Sequence, residues 1–110
     1  MRGIARWGVV GRAWEAIAQM AIEAIAALVN EGTLPSNSDS LEKYWRLVYE
    51  RILTKWAKRL QSDPSFRYVR IMEFLTKIFV NRLPQLAVDA RRNGNPMLAQ
   101  AFDDLTQENR

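Results

Sequence analysis

The chain has 110 residues, 48% of them hydrophobic and 25% charged, with a net charge of +4. That is enough for one hydrophobic core and too little for two, and too apolar for a disordered segment. Cysteine and histidine are both absent, which excludes disulfides, zinc clusters, thiolate nucleophiles and the side chain that most often serves as general base.

Apolar residues recur at helical spacing from the start. Between about Arg12 and Asn30, with an earlier start left open by Gly3, Gly8 and Gly11, the row Trp14, Ile17, Ala18, Ala21, Ile25, Leu28 and Val29 marks one buried stripe. Residues 13–29 are apolar-rich, but Glu15, Gln19 and Glu23 interrupt them, so no membrane span is expected. Arg12 breaks any uninterrupted leader-like run, and a soluble chain is expected. Gly32 is the expected left-handed cap. Residues 33–40, TLPSNSDS, form the evident loop within a flexible stretch near 31–40. Asp39 with Glu42 resembles a capping box for a second helix from about Ser40 to Gln61. Its stripe is Leu41, Trp45, Val48, Ile52, Trp56 and Leu60.

Asp63-Pro64 is a strong helix start. The third helix, from Pro64 to about Leu83, is apolar nearly all round, with a polar strip of Arg70, Glu73, Lys77 and Asn81. Such a helix is expected at the centre of its bundle or partly in an interface. Pro84 should kink or break it. Helix resumes to Arg92, Asn93-Gly94 caps it, and Asn95-Pro96 opens a last helix to about Thr106, followed by a frayed QENR tail. The expected fold is all-α, a single domain over residues 1–110 built as a bundle of four to five helices. Trp14, Ile25, Leu28, Trp45, Val48, Ile52, Trp56, Phe74, Ile78 and Phe79 should form its core.

The charge is unevenly placed. Residues 1–40 carry −1, residues 41–92 carry +7 from twelve basic and five acidic side chains, and residues 93–110 carry −2. A basic stretch of this kind suits phosphate contact, since neutralising phosphates releases counterions; an acidic protein or an anionic membrane surface would also answer it. Arg51, Lys55 and Lys58 share one flank of the second helix beside its buried stripe, with Lys43 near, and Glu50 is the only carboxylate between Lys43 and Gln61. Arg91 and Arg92 sit at a helix end, where the dipole alone favours them. Among the aromatic residues, Trp45 and Trp56 fall on the buried stripe, leaving Tyr44, Tyr49 and Tyr68 as candidate stacking platforms. Catalytic constellations are lacking. Asp103 and Asp104 point apart on a helix, Glu15 and Glu23 have no third ligand, and no glycine loop is followed by Lys-Ser/Thr. No enzyme activity, cofactor or metal is expected.

In its size, its lack of His and Cys, and its basic runs KYWRLVYERILTKWAKR (Lys43 to Arg59) and RYVR (Arg67 to Arg70), the chain resembles the small subunits of multi-subunit class 1 CRISPR effector complexes. These are short, non-catalytic helical bundles that stack along the complex and support displaced DNA or guide-bound duplex. The resemblance implies a cytoplasmic subunit that binds DNA or RNA backbone without reading sequence, alongside other protein subunits and copies of itself. Phosphate contact would fall to Lys43, Arg46, Arg51, Lys55, Lys58 and Arg59, with Arg91 and Arg92 as further candidates. The absence of cysteine fits that reducing compartment. The competing expectation is a helical protein–protein adaptor or homo-oligomeric scaffold with no nucleic-acid role. Periodicity and capping together predict at least ~60% helix and no sheet, which a far-ultraviolet circular dichroism spectrum checks; a dominant strand signature would contradict it.

Overall fold

The computed structural model describes the backbone of residues 2–61 and 68–108, and the side chains of residues 14–55 and 68–106. Its elements are α1 (Arg2–Asn30), a short 3-10 turn (Pro35–Asn37), α2 (Leu41–Gln61), α3 (Tyr68–Glu73), a π turn (Phe74–Ile78), a second 3-10 turn (Phe79–Arg82), α4 (Leu83–Arg92) and α5 (Pro96–Glu108). No strand occurs among the described residues, and the fold is a small all-α bundle. α1 already runs as helix from Arg2, through all three early glycines.

Hydrogen bonds explain where the helices stop. At the end of α1, Gly32 has φ 85°, its N–H donates to Val29 O at 3.0 Å, and the Thr33 N–H donates to Leu28 O at 2.8 Å. This paired pattern is a Schellman motif and needs a residue that accepts positive φ. α4 ends the same way. Gly94 has φ 79°, its N–H reaches Arg91 O at 3.1 Å, and the Asn95 N–H reaches Ala90 O at 2.8 Å. Asn95 then serves α5, its side-chain oxygen accepting the Leu98 N–H at 3.2 Å. One residue thus closes one helix and caps the next, so α4 and α5 turn sharply and pack along each other.

The segment between α1 and α2 is held by its own polar side chains. Asn37 Nδ2 donates to Gly32 O at 3.1 Å, Ser38 Oγ donates to Pro35 O at 2.9 Å, and Pro35 itself is buried. The N-cap of α2 is Ser40 rather than Asp39. Ser40 Oγ accepts the Lys43 N–H at 3.2 Å, and Asp39 instead bonds the Lys43 ammonium at 2.7 Å. The Asp39–Glu42 capping box is therefore corrected by one residue. The expected helix start at Asp63-Pro64 and the expected core residue Trp56 lie outside the described residues and side chains.

α1 is the organising helix, packing against α2, α5 and the π turn. Ile17, Ala18, Ala21 and Ile25 on it are at most 1% exposed, as are Trp45, Val48 and Ile52 on α2. The alanines at the centre of the α1 row allow close helix approach. From the remaining segments Ile71, Leu75, Phe79, Leu83, Ala87, Phe102 and Leu105 complete the core. Trp45 meets Phe79 edge-to-face with ring centroids 6.1 Å apart. Its indole Nε1 is buried without a hydrogen-bond acceptor, a cost that the packing of the large ring offsets.

The apolar third segment, expected as one helix from Pro64 to about Leu83, does not run as one regular α-helix over its described residues. Its buried row, Ile71, Leu75, Phe79, Leu83 and Ala87, advances by four residues each time, and a straight α-helix would rotate such a row by ~40° per step. The wider π turn, closed by the Phe79 N–H on Phe74 O, removes part of that rotation. It also turns Ile78 outward. Expected in the core, Ile78 is 45% exposed, and Val69 on the same segment is 63% exposed. The break comes before Pro84, which sits in the first turn of α4 where its missing N–H leaves no bond unmade.

These two isoleucines provide a test of the phase. Replacing Ile52 with Ala should destabilise the fold by about 2–5 kcal/mol through lost burial and a cavity. Ile78→Ala should change stability by less than about 1 kcal/mol, as surface changes do. Urea unfolding of both variants checks this; equal losses would place Ile78 back in the core.

Candidate nucleic-acid interface

Four of the expected phosphate contacts lie in the described part of α2, and all four face carboxylates. Lys43 Nζ is 2.7 Å from Asp39. Arg46 is a looser 3.8 Å from Glu42. Arg51 pairs with Glu31, and Lys55 Nζ is 2.6 Å from Glu23. The premise that Arg51 and Lys55 have little acidic company fails. Their partners stand 20 and 32 residues away in sequence, at the end of α1 and within it. The reason is geometric: the flank of α2 beside its buried stripe is the flank that meets α1, so its cations meet the flanking acids of α1. Glu23, and Glu15 with it, are ion-pair partners and not parts of an unfinished site.

Arg91 is likewise held, 2.5 Å from Asp103 of α5. Arg92 is exposed with no carboxylate partner among the described residues. The side chains of Lys58 and Arg59 lie outside the described set. A further cation that the sequence did not single out, Arg82, forms a two-pronged pair with Glu15, both N···O distances being 2.7 Å. This pair ties the 3-10 turn before α4 to the start of the described α1 surface. Nothing in linear spacing points to it, since 67 residues separate the partners.

The cations left without a carboxylate among the described residues are Arg70, Lys77 and Arg92. Arg70 and Lys77 come from the polar strip of the third segment and border one cleft of about 230 Å³ with Trp14, Glu73, Phe74 and Ile78. Two of these lining residues, Trp14 and Phe74, stack with centroids 4.9 Å apart and planes inclined by 25°.

Of the three tyrosines proposed as stacking platforms, Tyr44 is fully buried. Its hydroxyl points to Thr33 O at 3.5 Å, and burial pushes its pKa up to about 12. It belongs to the core and cannot stack on a ligand. Tyr49 and Tyr68 are half-buried and meet edge-to-face with centroids 4.8 Å apart. The Tyr68 hydroxyl, and after it Glu42 and Glu50, raise the pKa of Arg46 above its ordinary value.

No helix among the described residues is long and apolar enough to cross a membrane. Comparison with protein-family models, curated proteins and solved structures returns no match for this chain.

The ion pairs set an acid response. The Arg82 hydrogen bonds lower the pKa of Glu15, Arg51 lowers that of Glu31, and Lys43 lowers that of Asp39. Each group binds its proton less readily when folded, so its contribution to stability is full above the unfolded carboxylate range, about pH 4, and is lost as pH falls through the folded value. Because the partners are largely exposed, each contribution is small. Stability measured by urea unfolding should fall between pH 5 and 3, counted as an order-of-magnitude window from the same range. Glu15→Gln should make that fall shallower; a fall of unchanged size in Glu15→Gln would show that the pair with Arg82 is not formed.

Proposed function

We infer that the chain is a non-catalytic nucleic-acid-binding subunit of a larger ribonucleoprotein assembly. It would work in the cytoplasm beside other protein subunits, in the manner of the effector small subunits whose basic runs it resembles. The observation that carries this reading is the set of exposed cations within the strongly basic middle of the chain, Arg70, Lys77 and Arg92, that no described carboxylate neutralises. Cations without a carboxylate pair among the described residues have no described pair to break before contacting phosphate. Those on α2 must exchange a carboxylate for a phosphate. Exposed pairs are worth only ~0–1 kcal/mol, so this second group can add to binding without leading it. Contacts of this type hold a strand in place and do not read its bases.

A second reading is favoured by a separate observation. Val69, Ile78, Val88 and Met97 are 45–63% exposed, and apolar side chains at a surface suit a helical adaptor that binds protein.

Salt separates the two. Binding of a fluorescein-labelled single-stranded oligonucleotide, followed by anisotropy, should weaken linearly in log–log form with added salt, by ~0.7 units of slope per phosphate contacted. Absence of binding at low salt, or binding that ignores salt, would contradict the nucleic-acid reading and favour the adaptor.

A further inference from the structure

The π turn borders the cleft as well as shifting the helix phase. Phe74 and the exposed Ile78, the two ends of the π turn, line the same hollow as Trp14, which stacks on Phe74. Breaks of this kind in helices frequently mark functional sites. Resting on the nucleic-acid reading above, we propose that this cleft receives one unpaired nucleobase of a single strand, with Arg70 and Lys77 holding the phosphates on either side of it.

Three features select that occupant. The first is size: about 230 Å³ is below the ~300–1,000 Å³ of clefts that enclose drug-sized ligands, and fits a single flat ring better than a folded-up nucleotide. The second is the pairing of apolar base and charged rim. Trp14 and Phe74 line the cleft although nearly covered, at 8% and 6% exposure, and the aliphatic Ile78 lines it beside the charged Arg70 and Lys77. An arginine guanidinium also lies flat against a base. Arg70 and Lys77 are two helical turns apart on one strip, and neither has a carboxylate partner among the described residues. The third is Glu73, which lines the same cleft between them. A hollow for a bare anion gains nothing from a carboxylate in its wall. A nucleobase does, because the amino groups of cytosine and adenine donate to a carboxylate. The cleft therefore suits a ring that carries a donor, on a strand that carries negative charge.

The test uses the full chain at low salt with three labelled strands of equal length: oligodeoxycytidylate, oligothymidylate, which the parent should bind less tightly, and a strand whose central positions are abasic. The cytidylate should bind on the order of fivefold more tightly than the abasic strand, the least that stacking and edge contacts of one base provide. The double variant Arg70→Gln/Lys77→Gln, changed only at exposed positions, should keep the helical circular dichroism spectrum, lose at least about fivefold in affinity for the cytidylate, and lower the salt slope by about one unit per lost contact. Glu73→Ala should remove the preference for cytidylate over thymidylate. The α2 variant Lys43→Gln/Arg46→Gln serves as the comparison; because its cations are already paired with Asp39 and Glu42, it should lose less affinity than the cleft variant does. Equal binding of the cytidylate and abasic strands would overturn the proposal, and so would unchanged binding by Arg70→Gln/Lys77→Gln. If the α2 variant loses binding instead, the cleft is refuted while the nucleic-acid reading stands. If the parent chain binds none of the strands, both fall.

Discussion

The buried rows of α1 and α2 decide where the charges of this protein can go. Trp45, Val48 and Ile52 must leave water, and the small residues Ala18 and Ala21 let α1 approach closely. With the two helices in contact, the side chains flanking each row face one another. α1 carries acids on that flank and α2 carries bases, so Glu23 meets Lys55 and Glu31 meets Arg51. The ion pairs follow from hydrophobic packing. They add little stability of their own at such exposure, but they occupy much of the most conspicuous positive charge in the sequence. The same logic places Arg82 on Glu15 and Arg91 on Asp103.

This explains what could be read from the sequence and what could not. Helix ends were legible because their chemistry is local: a glycine that accepts positive φ at residues 32 and 94, and an asparagine followed by proline at residue 95. Most of the core was legible for the same reason, since Ile25, Leu28, Trp45, Val48 and Ile52 repeat with the period of a regular helix. Ile78 was not. Its burial was inferred from a 3.6-residue period, and the segment departs from that period at Phe74–Ile78. Tyr44 was misread as an edge residue because α2 is covered more widely than its central stripe suggests. The all-α class survives such errors because it depends only on the type of each element.

The functional surface was less legible, for a physical reason. Electrostatic pairing acts through space, and counting charges along one helix misses acids brought in by another. Glu50 was the only acid close to Arg51 and Lys55 in sequence, yet neither pairs with it. Arg70 and Lys77, by contrast, were visible as part of a polar strip but looked ordinary beside the denser basic run of α2. Their distinction emerges only once the described cations of α2, with Arg82 and Arg91, are seen to be paired. What remains is a small, partly apolar cleft beside the π turn, lined by two cations that have no carboxylate partner among the described residues.

The most direct examination of this account is a map of contacts. A single-stranded oligonucleotide carrying 5-iododeoxycytidine, which keeps the amino group of cytosine, can be photo-crosslinked to the full chain and the modified peptides identified by mass spectrometry. The account predicts adducts on the cleft segment, residues 68–82, and on the peptide containing Trp14. Adducts confined to residues 41–55 would contradict it, because they would show the paired α2 face to be the one that meets the strand.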